Sequence, residues 1–114
     1  MSIRKRALDR GDVIKLSFSP QKGREQAGYR PALVLSPKLY NEASNIVLLC
    51  AITNAETDWP YAVAFPKGAV VTGSVLADQL RSMNVNERQF KYIGKAPKEV
   101  IAEVLDLVGT LLGS

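Results

Sequence analysis

The chain has 114 residues, 46% of them hydrophobic, 23% charged and 7% aromatic, a size and balance that suit one folded domain and exclude a disordered or fibrous protein. Its formal charge is +4, with no histidine and one cysteine, which excludes an internal disulfide and a histidine-built site and favours a polyanionic partner. No apolar stretch approaches the roughly 20 residues of a membrane span.

In chain order, Arg4, Lys5 and Arg6 open the sequence, but Asp9, Arg10 and Asp12 stand where a secretion signal needs an apolar run. The expectation is a cytoplasmic protein in which Cys50, among Leu48, Leu49, Ala51 and Ile52, is a buried reduced thiol. Over residues 12–18, Ile14, Leu16 and Phe18 alternate with Val13, Lys15 and Ser17, the period of a half-buried strand. Pro20, Gly23 and a polar run make residues 19–29 a long loop, and such loops in small domains usually carry function. Residues 31–35 read as a second strand ended by Ser36-Pro37, and residues 38–44 as a turn or short helix. Residues 46–53 read as a central strand buried on both faces. Shorter strands are expected over residues 61–65, 69–72, 73–78, 79–84 and 90–95, a spacing that describes a small closed or half-open barrel. From Pro97 onward, Val100, Ile101, Val104, Leu105, Val108, Leu111 and Leu112 recur at helical spacing and Gly113 marks the stop. This predicts an amphipathic C-terminal helix packed over the core.

The loop segment Gly23-Arg24-Glu25-Gln26-Ala27-Gly28-Tyr29-Arg30-Pro31 sets one carboxylate and two guanidinium groups between glycines. Glycine lets a backbone approach a ligand closely, and the planar arginine fork grips phosphate with paired hydrogen bonds. On spacing alone, a surface ion pair between Glu25 and Arg24 or Arg30, worth ~0–1 kcal/mol, accounts for these residues equally well. The carboxylates Glu25, Glu42, Glu56, Asp58 and Asp78 lack a metal-ligand spacing, and no glycine-rich nucleotide motif occurs. Neither a metal nor a cofactor is expected.

Gly11-Asp12, Ser19-Pro20, Glu25-Gln26-Ala27-Gly28, Arg30-Pro31-Ala32, Leu35-Ser36-Pro37 and Asn41 together resemble the N-terminal signature of the MazF/PemK toxin family. Thr53 at the end of the central strand, Gly73-Ser74-Val75-Leu76-Ala77-Asp78-Gln79 and Arg81-Ser82 extend the resemblance over nearly the whole chain. It implies an SH3-like barrel with a C-terminal helix, one toxin domain over residues 1–114, and a homodimer. It also implies a ribosome-independent endoribonuclease that cleaves single-stranded RNA, neutralised by an antitoxin whose acidic tail fills the RNA groove. Some relatives carry an arginine where this chain has Leu76 and a histidine where it has Arg24. The residues present match the version in which the loop arginine and the threonine carry the chemistry, so the implied catalytic residues are Arg30, Glu25 and Thr53.

Metal-free RNA cleavage needs a proton acceptor, a proton donor and positive charge for the phosphorane. Without histidine, Glu25 is the best local base. Arg30 can stabilise charge, although a guanidinium is a reluctant acid, so water can supply the leaving-group proton. Thr53 offers a hydroxyl to a phosphate oxygen, or simply ends a strand. Lys22 and Arg24 would position the RNA backbone, with Arg81 a further cation, while Gln26 and Gln79 can read base edges. Asp78 is open between base, RNA contact and turn acceptor. Trp59, with Tyr61, can stack bases or serve as a core or dimer contact. A non-catalytic RNA-binding barrel and a gyrase-poisoning toxin of the same barrel class are the competing readings.

Overall fold

The computed structural model describes residues 7–18, 28–85 and 89–113. The elements run β1 (Asp12–Ser17), β2 (Tyr29–Val34), α1 (Lys38–Ser44), β3 (Ile46–Thr53), β4 (Ala62–Ala64), β5 (Ser74–Asn84), β6 (Phe90–Lys95) and α2 (Lys98–Leu111). The strands form one antiparallel sheet in the order β4-β5-β3-β2-β1-β6.

Strand alternation divides the core between the two faces of this sheet. On one face Val13, Leu33, Cys50, Ile52 and Val75 pack beneath α2, which contributes Val100 and Val104. On the other, Ile14, Leu16, Phe18, Ala32, Val34, Val47, Leu49, Ala51 and Met83 gather into a second cluster. β3, paired on both sides and buried on both faces, is the central strand its composition predicts. The expectation of a half-buried β1 is corrected: Val13 is as fully buried as Ile14 and Leu16, and only Lys15 and Ser17 of its outer set reach solvent.

Register shifts in the β1–β6 and β3–β5 ladders mark the irregularities at which a sheet bends towards a barrel. The shift in β5 is large. Cys50 pairs with Leu80 and Ile52 with Val75, so residues 76–79 stand opposite the single Ala51. Residues 73–78 and 79–84, expected as two strands, are therefore one long strand with an excursion, because the chain continues in the same direction past it. Residues 69–72 form no strand; Val70 instead crosses Gly94 of β6, where an added Cβ would lie 2.7 Å from its Cγ1.

α1 forms where a turn or short helix was expected, and Asn45 ends it in the left-handed region at φ 61°. α2 covers the predicted stripe, but Leu111 and Leu112 are exposed beyond the sheet's edge. Among the described residues, no helix is long and apolar enough to cross a membrane.

Candidate active site

The two halves of the N-terminal motif do different work. Gly11-Asp12, Ser36-Pro37 and Asn41 build a buried polar cluster. The Asp12 carboxylate, 1% exposed, receives the Lys95 ammonium at 2.8 Å and the Asp9 amide at 2.8 Å. Asn41 Nδ2 donates to the carbonyls of Leu8 (2.8 Å) and Ser36 (3.0 Å). Ser36 Oγ donates to Asn41 Oδ1 at 2.5 Å and accepts from the Leu48 amide at 2.9 Å. Arg10 Nε adds a 2.6 Å bond to the Leu35 carbonyl. Asp9 takes over the capping that Pro37 cannot provide, accepting from the Lys38 and Arg10 amides at 2.9 and 2.8 Å. Those two bonds, that from Lys38 the stronger, hold the Asp9 carboxyl below its usual range. Held by these bonds and the Lys95 ion pair, the cluster is a structural joint between β1, α1 and β3.

The other half of the pattern lies at the opposite end of β2 and β3. Their pairing runs Val34 with Leu49, Leu33 with Cys50 and Ala32 with Ala51. The pairing ends there; Arg30 and Thr53 stand two residues further along β2 and β3, which strand alternation puts on the side of Ala32 and Ala51, the face of the second core cluster. Thr53 is 9% exposed, and its Oγ1 accepts from the Ala55 amide at 3.2 Å. That bond occupies a lone pair and leaves the hydroxyl proton to donate.

Neighbouring residues fix this strand end. Gly73, at φ +104°, approaches so closely that an added Cβ would sit 2.1 Å from the Thr53 carbonyl oxygen, a contact only glycine permits. Beside it Thr72 Oγ1 donates to Asn54 Oδ1 at 2.8 Å. Asn54 and Thr72 escaped the sequence reading because they are 18 residues apart and fall in no motif; Gly73 was visible only as a motif letter.

Asp78 and Gln79 lie in the β5 excursion next to the same strand end, and Arg81 follows on β5 opposite Leu49, its guanidinium 5.2 Å from the centre of the Phe18 ring. Trp59 stands in the loop that leaves Thr53. Its indole N–H donates to Asp78 Oδ2 at 3.1 Å, and its ring meets Tyr61 edge-on at 5.6 Å. Leu76 is buried, at 7% exposure. Lys22, Arg24, Glu25 and Gln26 lie outside the described residues.

Two grooves flank the site. One, of about 670 Å³, is lined by Glu56 and Asp58 with Asn54, Gly73 and Ser74, and its acidity repels phosphate. The other, of about 410 Å³, joins Lys15 and Pro31 to Asn54 and the segment Ala69 to Thr72. Neither groove is lined by Arg30 or Thr53. Cys50 takes no part: it is fully buried, and burial, with the Asp78 charge adding to it, pushes its thiol up to about 12.

Residues 9–112 match the family model described as the PemK-like, MazF-like toxin of type II toxin–antitoxin systems. The chain belongs to this toxin family. It is 35% identical over 105 residues to the endoribonuclease toxin MazF of Escherichia coli (strain K12), covering 92% of this chain and 94% of that one. It is 37% identical over 108 residues to the endoribonuclease toxin ChpB of the same strain, covering 90% and 92%. The fold superposes on the crystal structure of MazF from Deinococcus radiodurans with a TM-score of 0.91 at 40% identity, covering 96% of this chain and all of that one. A MazE–MazF complex from the same organism matches with a TM-score of 0.85, again at 40% identity, covering 96% and 98%. The mainly-β, barrel-like architecture with its C-terminal helix is therefore that of the family.

Proposed function

We propose that this toxin cuts single-stranded RNA sequence-specifically and without ribosome or metal ion, with Arg30, Glu25 and Thr53 as its catalytic residues. The endoribonuclease activity and the toxin role follow from the family; the chemistry and the residue roles are the proposal. In that chemistry the ribose 2′-oxygen attacks the adjacent phosphorus as its proton passes to the Glu25 carboxylate. The new P–O2′ bond forms while the P–O5′ bond breaks, leaving a 2′,3′-cyclic phosphate. The departing 5′-oxygen takes a proton from water, because a guanidinium releases one too reluctantly at neutral pH. Arg30 and the Thr53 hydroxyl meet the charge that gathers on the non-bridging oxygens, where fixed donors stabilise the transition state more than the ground state.

The observation that supports this reading is the β2–β3 pairing, whose register, carried two residues past Ala32 and Ala51, leads to Arg30 and to a Thr53 hydroxyl that keeps a proton to donate. Lys22, Arg24 and Arg81 bind the RNA backbone, Gln26 and Gln79 read bases, and Trp59 contacts the exposed strand. A cognate antitoxin covers this basic face with an acidic tail, and the toxin acts as a homodimer in the cytoplasm. The test is incubation of the purified toxin with mixed-sequence RNA in EDTA, followed by mapping of the ends. Cyclic phosphate and 5′-hydroxyl ends at a recurring short sequence are expected. Intact RNA at high toxin concentration would remove the nuclease reading, and a Glu25→Gln variant cleaving at the parental rate would remove Glu25 as base.

A further inference from the structure

We propose that Asp78 is a positioning residue: its carboxylate holds the Trp59 indole as a stacking platform for one base of the RNA strand, and it is not the proton acceptor of cleavage. The inference rests on the nuclease reading above and assigns a part of its substrate site.

Trp59 is 46% exposed, so burial alone does not explain where its ring stands. Two contacts do. The indole N–H donates to Asp78 Oδ2 at 3.1 Å, a charge-assisted bond at one edge of the ring. Tyr61 meets the indole at 5.6 Å with an interplanar angle of 60°, an edge-on contact that covers at most one aromatic face. Together they fix the ring's tilt and swing while leaving apolar surface in water. The backbone supports both contacts: the Ala77 amide donates to the Tyr61 carbonyl at 2.9 Å, tying the Trp59 loop to the segment that carries Asp78.

The platform also stands in the right place. The loop containing Trp59 begins directly after Thr53, and the β5 excursion containing Asp78 lies opposite Ala51, two residues before Thr53. Both segments that hold the indole thus adjoin the strand end that carries Thr53, and an RNA strand bound there is proposed to reach the ring. Bases of single-stranded RNA are unpaired and present π-faces that stack on aromatic rings irrespective of sequence, so the platform supplies affinity and register, while hydrogen-bonding neighbours such as Gln79 supply discrimination. A carboxylate whose oxygen is already bonded to the indole is occupied in orienting the ring.

Trp59 is the only tryptophan in the chain, so its fluorescence reports on this contact alone. The probe is a mixed-sequence oligoribonucleotide methylated at its 2′-oxygens, which binds but cannot be cut. Quenching of wild-type emission by this RNA is expected. Asp78→Ala should shift the emission of the free protein and weaken RNA binding about tenfold, whereas Asp78→Asn, which keeps an acceptor oxygen, should retain the emission, the quench and the acid limb of the pH–rate profile, with cleavage reduced less than tenfold. Trp59→Ala should raise KM about 5- to 150-fold, the worth of one stacked base, and lower kcat far less. An active nuclease whose tryptophan is not quenched would overturn the platform. Loss of cleavage in Asp78→Asn with the quench intact would make Asp78 the base and overturn the positioning role. If Asp78→Ala shifts the free emission but the wild type neither binds nor cuts RNA, the nuclease reading fails and takes the platform with it.

Discussion

The buried cluster around Asp12, Ser36 and Asn41 and the strand end around Arg30 and Thr53 are built from one run of motif residues, yet they stand at opposite ends of the sheet. In the first, the Ser36 hydroxyl and Asn41 amide bond each other and the backbone while the Asp12 carboxylate holds Lys95 and the Asp9 amide, and Asp12, Ser36 and Asn41 are 1%, 3% and 7% exposed. In the second, Thr53 is 9% exposed and keeps a proton to give. The contrast teaches that one family motif holds both a buried joint, whose polar groups answer fixed partners, and a strand-end hydroxyl that keeps a proton to give.

That contrast can be broken from either side. The largest effect is expected from Arg30→Ala, which should lower kcat about 10³-fold while RNA affinity changes less than tenfold and the melting temperature stays within a few degrees. Equal losses in cleavage and binding would move Arg30 to a positioning role. Next comes Asn41→Ala, expected to cost about 3 kcal/mol of stability in a urea titration by leaving buried groups of Ser36 and Leu8 without partners. The folded fraction should still cleave at the parental rate; a selective loss of activity would erase the line between the two regions.

Gly73→Ala crosses that line. The added methyl must push back the Thr53 carbonyl, so about 2 kcal/mol of stability and a larger fall in kcat than in RNA affinity are expected together. An unchanged rate would show that the close approach merely shapes a turn. The smallest effect belongs to Asp9→Ala, about 1 kcal/mol from loss of the α1 cap. Because the folded carboxyl is held below its ordinary value of 3.8, its contribution is present above that value and fades as pH falls through the lowered one. The variant should thus differ from the parent at neutral pH and converge with it in strong acid, as followed by thermal unfolding across pH.

Much of this was legible beforehand. β1, β3 and α2 follow from hydrophobic patterns too strong for tertiary context to override, and the motif named Arg30 and Thr53 as the residues proposed to act. The β5 excursion was not, since an out-and-back departure reads locally like a turn between two strands. The segment Ala69 to Thr72 carries β-forming residues, but Val70 spends its side chain on Gly94 and not on a ladder. The Trp59–Asp78 and Asn54–Thr72 pairs span 19 and 18 residues, separations that no local pattern encodes.

The order of the strands has a consequence for synthesis. β1, the first strand in chain order, is an inner strand whose second neighbour is β6, and the Ala96 amide bonds the Gly11 carbonyl at 2.8 Å just before α2 begins. The first strand must wait for the last one, and the sheet that carries Arg30 and Thr53 closes only once β6 has been made. A chain released early thus lacks the partner strand for β1 and the helix that covers one face of the sheet, so an abortive product of this toxin's own message is expected to be harmless.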